Sequence, residues 1–255
     1  MANYIHYNKK YDFNNIIDFN DPIKTFLLTA GVVNDDEFGA LVIAGFQYIA
    51  LSHSIHGMNT SELVARLAGS VRTSYPLALI SSICVRSGIY HGGSIEKALI
   101  MINQYLGAAK NENDTDFDDF ITKYVDSLFT NGKLFGFGHR IHKNPQNDQP
   151  GADPRVLGYL KIIKDIFKDK NSSELLLIYK LINRVRQNKP SLGCNSDFAI
   201  ALLCSLLDIN ENNAYGLFTV CRIPGFCARI IRELLGKANA RRSPFSSILP
   251  YILPK

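Results

Sequence analysis

The sequence predicts an all-α fold, and three observations lead to that prediction. Along most of the 255 residues, apolar side chains recur at helical spacing, as Leu63, Leu67 and Val71 do. Residue types that start helices precede these segments, for example Asn59 with Glu62 three positions later. No stretch alternates strictly between apolar and polar residues over enough length to predict a strand. We therefore expect a multi-helical protein.

The individual helices are marked by their starts and stops. The segment Asn59-Thr60-Ser61-Glu62 fits a capping motif, and Asp153-Pro154 offers an N-cap followed by proline at the first helical position. A further helix is indicated by the spacing of Leu175, Ile178, Ile182 and Val185, and Asn188-Lys189-Pro190 ends it. Four more tracts suit helices: 95–109, 117–130, 198–207 and 214–235.

The composition is that of an ordinary globular protein. Hydrophobic residues make up 46% and charged residues 20%, and 255 residues suffice for a core without disulfide or metal support. The net charge of +5 favours anionic ligands. The basic residues form no long run, so we expect no nucleic-acid partner. The length alone allows one large domain or two unequal ones, and we expect a single domain over residues 1–255.

The cysteines and apolar stretches indicate a cytoplasmic protein. The five cysteines are odd in number and include no CxxC pair, and the first 20 residues lack the layout of a signal peptide. We therefore expect free thiols in a reducing compartment. The longest apolar stretches, Ala40 to Leu51 and Leu77 to Val85, are too short to cross a bilayer. We expect no membrane association.

Histidine is the first candidate for chemistry. Five of the six histidines lie between positions 53 and 142, and His91 and His139 stand beside glycines in loops that precede helices. A single histidine is most often structural. Glycine neighbours let the backbone approach a ligand, however, and an imidazole can donate a hydrogen bond or move a proton near neutral pH. These two are the better candidates.

An acid and an arginine each allow two interpretations. Asp197 opens an apolar helix, so it is either the N-cap of that helix or a carboxylate base in a dry cleft. Arg222 stands in the otherwise apolar stretch Leu217 to Phe226, where an uncompensated guanidinium is costly. Its partner is therefore either an acid of the protein or a carboxylate of a ligand.

Several common sites are excluded by their spacing. Asp114, Asp116 and Asp118 imitate the start of a calcium loop, but Asp119 and Val125 occupy the positions that require Gly and Glu. His139 and His142 lack the further ligands of a zinc site, so we expect no metal. The chain has no GxxxxGK[ST], GxGxxG or GxSxG element, which argues against a P-loop, a Rossmann site and an α/β-hydrolase serine.

Taken in chain order, six short elements resemble motifs of the citrate synthase superfamily. Each element is weak alone, but six in the right order over about 190 residues are specific. They are His53-Ser-Ile-His56-Gly-Met-Asn59-Thr-Ser, His91-Gly92-Gly93-Ser94, Gly136-Phe-Gly138-His139-Arg140 with the later Asp153-Pro154-Arg155, Asn195-Ser-Asp197-Phe198, Arg222-Ile-Pro-Gly225, and Arg242-Ser-Pro244.

The resemblance implies a multi-helical fold with a large and a small helical subdomain. The small subdomain would cover roughly residues 95–210. The chain lacks the superfamily's usual N-terminal part, and its length resembles the citryl-CoA lyase module of ATP-citrate lyase, as does the ending Pro250-Tyr-Ile-Leu-Pro254. In the superfamily the last arginine reaches in from a partner subunit, so a homodimer or a dimer of dimers is implied.

The resemblance also implies the roles of individual residues. Asp197 would remove a proton from the methyl group of acetyl-CoA, His91 would donate to the thioester oxygen, and His139 would polarise the ketone of oxaloacetate. Citryl-CoA cleavage is the same reaction run backwards. No cofactor is needed beyond the coenzyme A thioester that serves as substrate. The carboxylates would meet His56, Arg155, Arg222 and Arg242, and coenzyme A would meet Gly136, Gly138 and Lys143.

Three departures from the superfamily's pattern leave alternatives open. The stretch from Lys143 to Arg155 is longer than usual, Arg229 replaces a common histidine, and His91 is present although the lyase module lacks a histidine there. Short length favours a lyase, whereas His91 favours a synthase. A 2-methylcitrate-type enzyme that uses propionyl-CoA is a further possibility. So is a catalytically silent protein that binds coenzyme A or a tricarboxylate.

Overall fold

The structure is a computed structural model that describes residues 20–54, 59–88, 91–110, 116–132, 134–139, 142–143, 149–168 and 172–236. Within these ranges it contains ten α-helices and no strand, which confirms the predicted all-α fold. The only extended pairing among the described residues is an isolated antiparallel bridge between Phe137 and Cys194.

The ten helices follow one another with mostly short connections. They are α1 (Pro22–Thr29), α2 (Glu37–Ser54), α3 (Thr60–Ser70), α4 (Tyr75–Arg86), α5 (Ser94–Ala109), α6 (Phe117–Thr130), α7 (Pro154–Ile166), α8 (Ser172–Asn188), α9 (Ser196–Leu206) and α10 (Glu211–Leu235). The four tracts predicted from periodicity correspond to α5, α6, α9 and α10.

Side-chain caps fix where several helices begin. The Asn59 side chain accepts from the backbone N–H of Glu62 at the start of α3, and Asp153 accepts from the N–H of Arg155 at the start of α7. Pro154 occupies the first turn of α7. Both predicted N-caps are confirmed, and α8 ends at Asn188, where the sequence predicts a stop.

The chain divides into two units, and unit 1 comprises residues 1–49 and 93–217. In this unit α5 packs against α9, α9 against α7, and α6 against α8. The core between these helices is built from fully buried apolar side chains such as Leu99, Ile102, Tyr105, Val185 and Leu203. The division into a small subdomain near residues 95–210 and a remainder stays a prediction.

Unit 2 comprises residues 50–92 and 218–255. Here α3 packs along α4, and the C-terminal half of α10 completes a small apolar cluster of Ala65, Ala78, Phe226 and Ile230. The small alanine side chains allow α3 and α4 to approach closely.

By length and composition alone, α10 could cross a membrane, and it is the only such helix among the described residues. Half of its apolar window is nevertheless buried inside the protein. Its buried face also includes a charged side chain, Arg222, which is 5% exposed. These features are typical of a core helix.

A pair of neighbouring residues on α5 tests the packing of unit 1. Leu99 is fully buried whereas Ile100 is 41% exposed. Leu99→Ala should lower the free energy of unfolding by about 2–5 kcal/mol because it leaves a cavity in the core. Ile100→Ala should change it by less than about 1 kcal/mol. Urea denaturation of both variants measures the difference, and equal losses would contradict the packing described for α5.

Candidate active site

In unit 1, backbone hydrogen bonds join three loops beside the start of α9. The N–H of Gly138 donates to the carbonyl oxygen of Gly193 (2.8 Å), and the N–H of Asn195 donates to that of Gly136 (2.8 Å). The N–H of Cys194 donates to the carbonyl of Pro150, also at 2.8 Å. The predicted coenzyme A loop, the segment before Asp153 and the segment before Asp197 thus form one framework.

The first of these loops requires glycine at two positions. Gly136 and Gly138 both have φ of +78°, a left-handed conformation that other residues rarely adopt. A Cβ atom on Gly136 would also approach the Cβ of Phe198 to 2.8 Å. These glycines let the loop lie flat against the start of α9. Lys143, the third residue predicted to meet coenzyme A, is exposed.

Asn195, and not Asp197, caps helix α9. The side-chain oxygen of Asn195 accepts from the N–H groups of Asp197 (3.0 Å) and Phe198 (3.2 Å), and its amide nitrogen donates to the carbonyl of Gly138 (2.9 Å). The N-cap interpretation of Asp197 is therefore wrong. Asp197 lies in the first turn, half-buried, and its carboxylate accepts a hydrogen bond from the hydroxyl of Ser94.

His139 is held as a neutral imidazole within unit 1. The N–H of His142 donates to Nδ1 of His139 (3.0 Å), so the hydrogen-bond network places the ring proton on Nε2. Burial lowers the pKa of His139 and outweighs the opposing negative charges of Asp153 and Asp197. The ring can therefore offer an N–H donor at neutral pH.

Asp153 joins the helix cap to the site. Its carboxylate, which is 1% exposed, accepts two hydrogen bonds from Nε of Arg155 (3.0 and 3.1 Å) and one from Nη2. Burial acts to raise the pKa of Asp153, but the bonds and charge of Arg155 hold it below the ordinary value. Nε2 of His139 lies 3.9 Å from the same carboxylate. Asp153 thus orders the arginine, and its charge acts on the imidazole.

His91 lies in unit 2 and is linked to the cap of α3. Its Nε2 is 2.7 Å from Oγ of Ser61, and that hydroxyl is also 2.9 Å from Oδ1 of Asn59. Ser61 has one proton to give. When it donates to Asn59, His91 carries its proton on Nε2. When it donates to His91, the ring proton is on Nδ1.

Burial, reinforced by the charges of two buried arginines, keeps His91 neutral. Burial is the largest cause that lowers the pKa of His91 to about 4, followed by the positive charges of Arg86 and Arg222. Arg86 is 1% exposed and lies over the ring of Phe218, 4.0 Å from its centroid. Nη1 of Arg222 donates to the carbonyl oxygen of His53 (2.7 Å), a neutral acceptor that neither sequence-based interpretation of Arg222 included.

Unit 2 contains few acidic residues, and these form ion pairs with arginines other than Arg86 and Arg222. Its sequence contains two acidic residues, Glu62 and Glu233. Glu62 is 1% exposed and pairs with Nε of Arg229 (2.5 Å), while Glu233 pairs with Arg66 (3.0 Å). Arg229, which departs from the superfamily pattern, therefore has a buried carboxylate that holds it. The unit as a whole carries a large surplus of positive charge.

The structure brings the sequence-predicted residues together in two groups. The joined loops of unit 1 and the helix starts beside them carry Gly136, Gly138, His139, Arg155 and Asp197. His91 and Arg222 act on each other in unit 2. His56 and Arg242 lie outside the described residues. No group of three or more His, Cys, Asp or Glu side chains in the described ranges could hold a metal ion.

Four contributing residues were missed by sequence reasoning. Ser61, Ser94 and Asn195 all stand inside the motifs that resemble the superfamily, but only contacts between distant segments give them a role. Arg86 could have been found, because it ends an apolar helix and the burial argument that singles out Arg222 applies to it equally.

The protonation of His91 gives a direct test of its surroundings. In the folded protein the NMR titration midpoint of its ring should lie near pH 4, below the ordinary 6.5. Because the unfolded chain binds this proton at higher pH, the group makes the fold less stable as pH falls from 6.5 towards 4. Arg86→Met should raise the midpoint, and Arg66→Met should leave it unchanged. An ordinary midpoint in the unaltered protein would show that burial and the two arginines do not act on His91.

The Asp153–Arg155 pair should be costly to break. Asp153→Asn removes the charge that compensates a guanidinium of which 11% is exposed, so the free energy of unfolding should fall by about 3–5 kcal/mol. The matched control is Asp119→Asn, whose partner Lys123 is 75% exposed, and it should cost far less because water screens an exposed pair. Equal losses in chemical denaturation would show that the pair is not buried as described.

Three comparisons relate this arrangement to known proteins. The family model described as citrate synthase, C-terminal domain, matches residues 7–243. A citrate synthase from Synechocystis sp. is 26% identical over 235 residues, which is 87% of this chain and 54% of that protein. The chain thus spans about half the length of the curated relatives it matches.

Solved structures share the fold. A citryl-CoA lyase from Hydrogenobacter thermophilus superposes with a TM-score of 0.69 at 20% identity, covering 91% of this chain and 82% of that one. An ATP citrate lyase from Methanothrix soehngenii, solved with citrate and coenzyme A, gives 0.67 at 18% identity, covering 95% of this chain and 38% of that one. With the family model matched over nearly its whole length, this chain belongs to the citrate synthase family, in the region of the family's C-terminal domain.

Proposed function

We propose that this protein interconverts citryl-CoA with acetyl-CoA and oxaloacetate. The observation that carries the proposal is the environment of the Asp197 carboxylate. This half-buried carboxylate does not cap α9, because Asn195 does, and its negative charge acts on the imidazole of His139. An acid–base pair of this kind at joined loops suits proton transfer at a carbon atom. Family membership supports the same reaction.

The proposed reaction begins with removal of a proton from the methyl group of acetyl-CoA. One oxygen of Asp197 takes the proton, the C–H bond breaks, and its electrons form an enolate whose charge lies on the thioester oxygen. That charge needs a hydrogen-bond donor as it develops. Neutral His91 supplies one from Nδ1 when Ser61 donates to its Nε2. Its low pKa leaves it uncharged at neutral pH.

Carbon–carbon bond formation then needs a polarised ketone. His139 would donate from Nε2 to the ketone oxygen of oxaloacetate while the enolate carbon attacks the ketone carbon. The proton on Nε2 passes to the new alkoxide and gives the hydroxyl of citryl-CoA. The protonated Asp197 then returns a proton to the ring through water, so both groups regain their starting forms. In the reverse direction the ring first gives a proton through water to Asp197 and then accepts the hydroxyl proton at Nε2, and Asp197 returns a proton to the departing acetyl carbon.

Two carboxylates of oxaloacetate need cationic partners. The proposal assigns Arg155, Arg222 and Arg242 with His56 to them, because guanidinium groups bind carboxylates through paired hydrogen bonds. Gly136 and Gly138 would meet coenzyme A through backbone groups, and the exposed Lys143 would reach a phosphate. We propose that the active form is a homodimer or a dimer of dimers in the cytoplasm.

The direction of the reaction separates two versions of the proposal. A lyase releases acetyl-CoA from citryl-CoA and need not hydrolyse the thioester, whereas a synthase releases free coenzyme A. Incubation with citryl-CoA, and separately with acetyl-CoA plus oxaloacetate, followed by assays of free thiol and acetyl-CoA, distinguishes them. Faster turnover with propionyl-CoA would indicate the 2-methylcitrate reaction.

Replacement of the proposed base tests whether the protein is an enzyme at all. Asp197→Asn keeps the shape of the side chain, but an amide cannot accept the methyl proton, so kcat should fall by about 10²–10⁴. Binding of citrate and coenzyme A, measured by calorimetry, should remain. Asp126→Asn, an exposed acid on α6, serves as control and should keep full activity.

Two results would count against this proposal. Absence of turnover with citryl-CoA, acetyl-CoA and propionyl-CoA, together with intact binding, would favour a silent binding protein. Measurable turnover that Asp197→Asn leaves unchanged would remove the base from the mechanism.

A further inference from the structure

A single hydrogen bond joins the starts of two helices in unit 1. Ser94 is the first residue of α5 and Asp197 lies in the first turn of α9. Although 103 positions separate them in sequence, the Ser94 hydroxyl donates to Oδ2 of Asp197. Serine and aspartate at these positions commonly cap their own helices. Here Asn195 caps α9, and the N-cap position of α5 is Gly93, which offers no side chain.

We infer that Ser94 is a positioning residue that orients the carboxylate of Asp197 and stabilises its ionised form. This inference rests on the proposed function and deepens it. A hydroxyl that donates to Oδ2 fixes the rotation of the carboxylate and leaves Oδ1 to take the proton from carbon. Ser94 keeps its own proton throughout, so the reaction's balance is unchanged. Its effect is transmitted through Asp197 and not through contact with substrate.

The positioning role depends on where Ser94 lies, which is at the N-terminal ends of α5 and α9. A second hydroxyl, that of Ser205, also bridges α9 to α5, where it donates to Oδ1 of Asn103 at 2.6 Å. That bridge is exposed and lies about two helical turns from Asp197 along α9. Both serines therefore join the same two helices, but only Ser94 contacts the proposed base. Ser205 thus provides a matched control for any loss of packing.

The test is clear only if the substitution leaves the charged groups around the Asp197 carboxylate unchanged. The charges of Asp153, Arg155 and Asp197 all act on His139. Glu96 and Lys97 lie in the first turn of α5, beside Ser94. A serine substitution alters none of these charges. A change in the behaviour of Asp197 can then be attributed to the lost hydroxyl.

The experiment compares Ser94→Ala, Ser94→Thr and Ser205→Ala with the unaltered protein. Charge-assisted hydrogen bonds are strong enough that Ser94→Ala should lower kcat about tenfold with KM nearly unchanged. The acidic limb of its pH–rate profile should move to higher pH, because the ionised carboxylate has lost a donor. Ser94→Thr should restore most of both values, since it keeps the hydroxyl. Ser205→Ala should change neither.

A readout without catalysis separates this inference from the proposed function. The ¹³C NMR titration of the Asp197 side-chain carboxyl, identified by its disappearance in Asp197→Asn, should shift to higher pH in Ser94→Ala alone. If the unaltered protein is inactive, the proposed function fails and this titration still decides the inference. An active protein whose rate and titration are the same in Ser94→Ala would overturn the role of Ser94. So would equal effects of Ser94→Ala and Ser205→Ala.

Discussion

The arrangement in unit 1 depends on one side chain, the amide of Asn195. It caps α9 through its oxygen and holds the loop at Gly138 through its nitrogen, so a single residue fixes both a helix start and the loop beside it. Because Asn195 caps the helix, the Asp197 carboxylate can accept a hydrogen bond from Ser94, and its charge acts on His139. The left-handed glycines let the loop come close enough for these bonds to form.

The two candidate imidazoles are kept neutral by different balances of charge. Burial lowers the pKa of His139 against the opposing charges of Asp153 and Asp197. For His91, burial and the charges of Arg86 and Arg222 act in the same direction, which accounts for the larger shift, to about 4. A neutral imidazole can donate a hydrogen bond to a developing negative charge, which the proposed enolate and ketone chemistry requires. The positions of the acidic and arginine residues therefore help to set the protonation state of both imidazoles that the proposed reaction uses.

The sequence predicted the helices well because their signals are local. Asn59 and Asp153 cap helices from within one turn, and Ile178, Ile182 and Val185 mark the buried face of α8. The apolar repeat of α3 predicted the helix but not its buried face, which consists of Ser61, Glu62, Ala65 and Gly69, whereas Val71 is exposed. The site was predicted less completely because its contacts join distant segments. From the sequence, Asp197 could be either the N-cap of α9 or a carboxylate base, because a lone acid before an apolar stretch fits both roles. The hydrogen bonds of Asn195 decide between them, since they show that Asn195 is the N-cap. Likewise, nothing within a few residues of Ser94 indicates that its hydroxyl reaches a carboxylate 103 positions away.

The central claim is that Asp197 removes a proton from the carbon next to a thioester. Deuterium exchange into the methyl group of acetyl-CoA measures that step alone, without bond formation or hydrolysis. In D₂O, with a non-reactive dicarboxylate in place of oxaloacetate, the unaltered protein should exchange the methyl protons and Asp197→Asn should not. Exchange at equal rates in both proteins would contradict the assignment of Asp197 as the base.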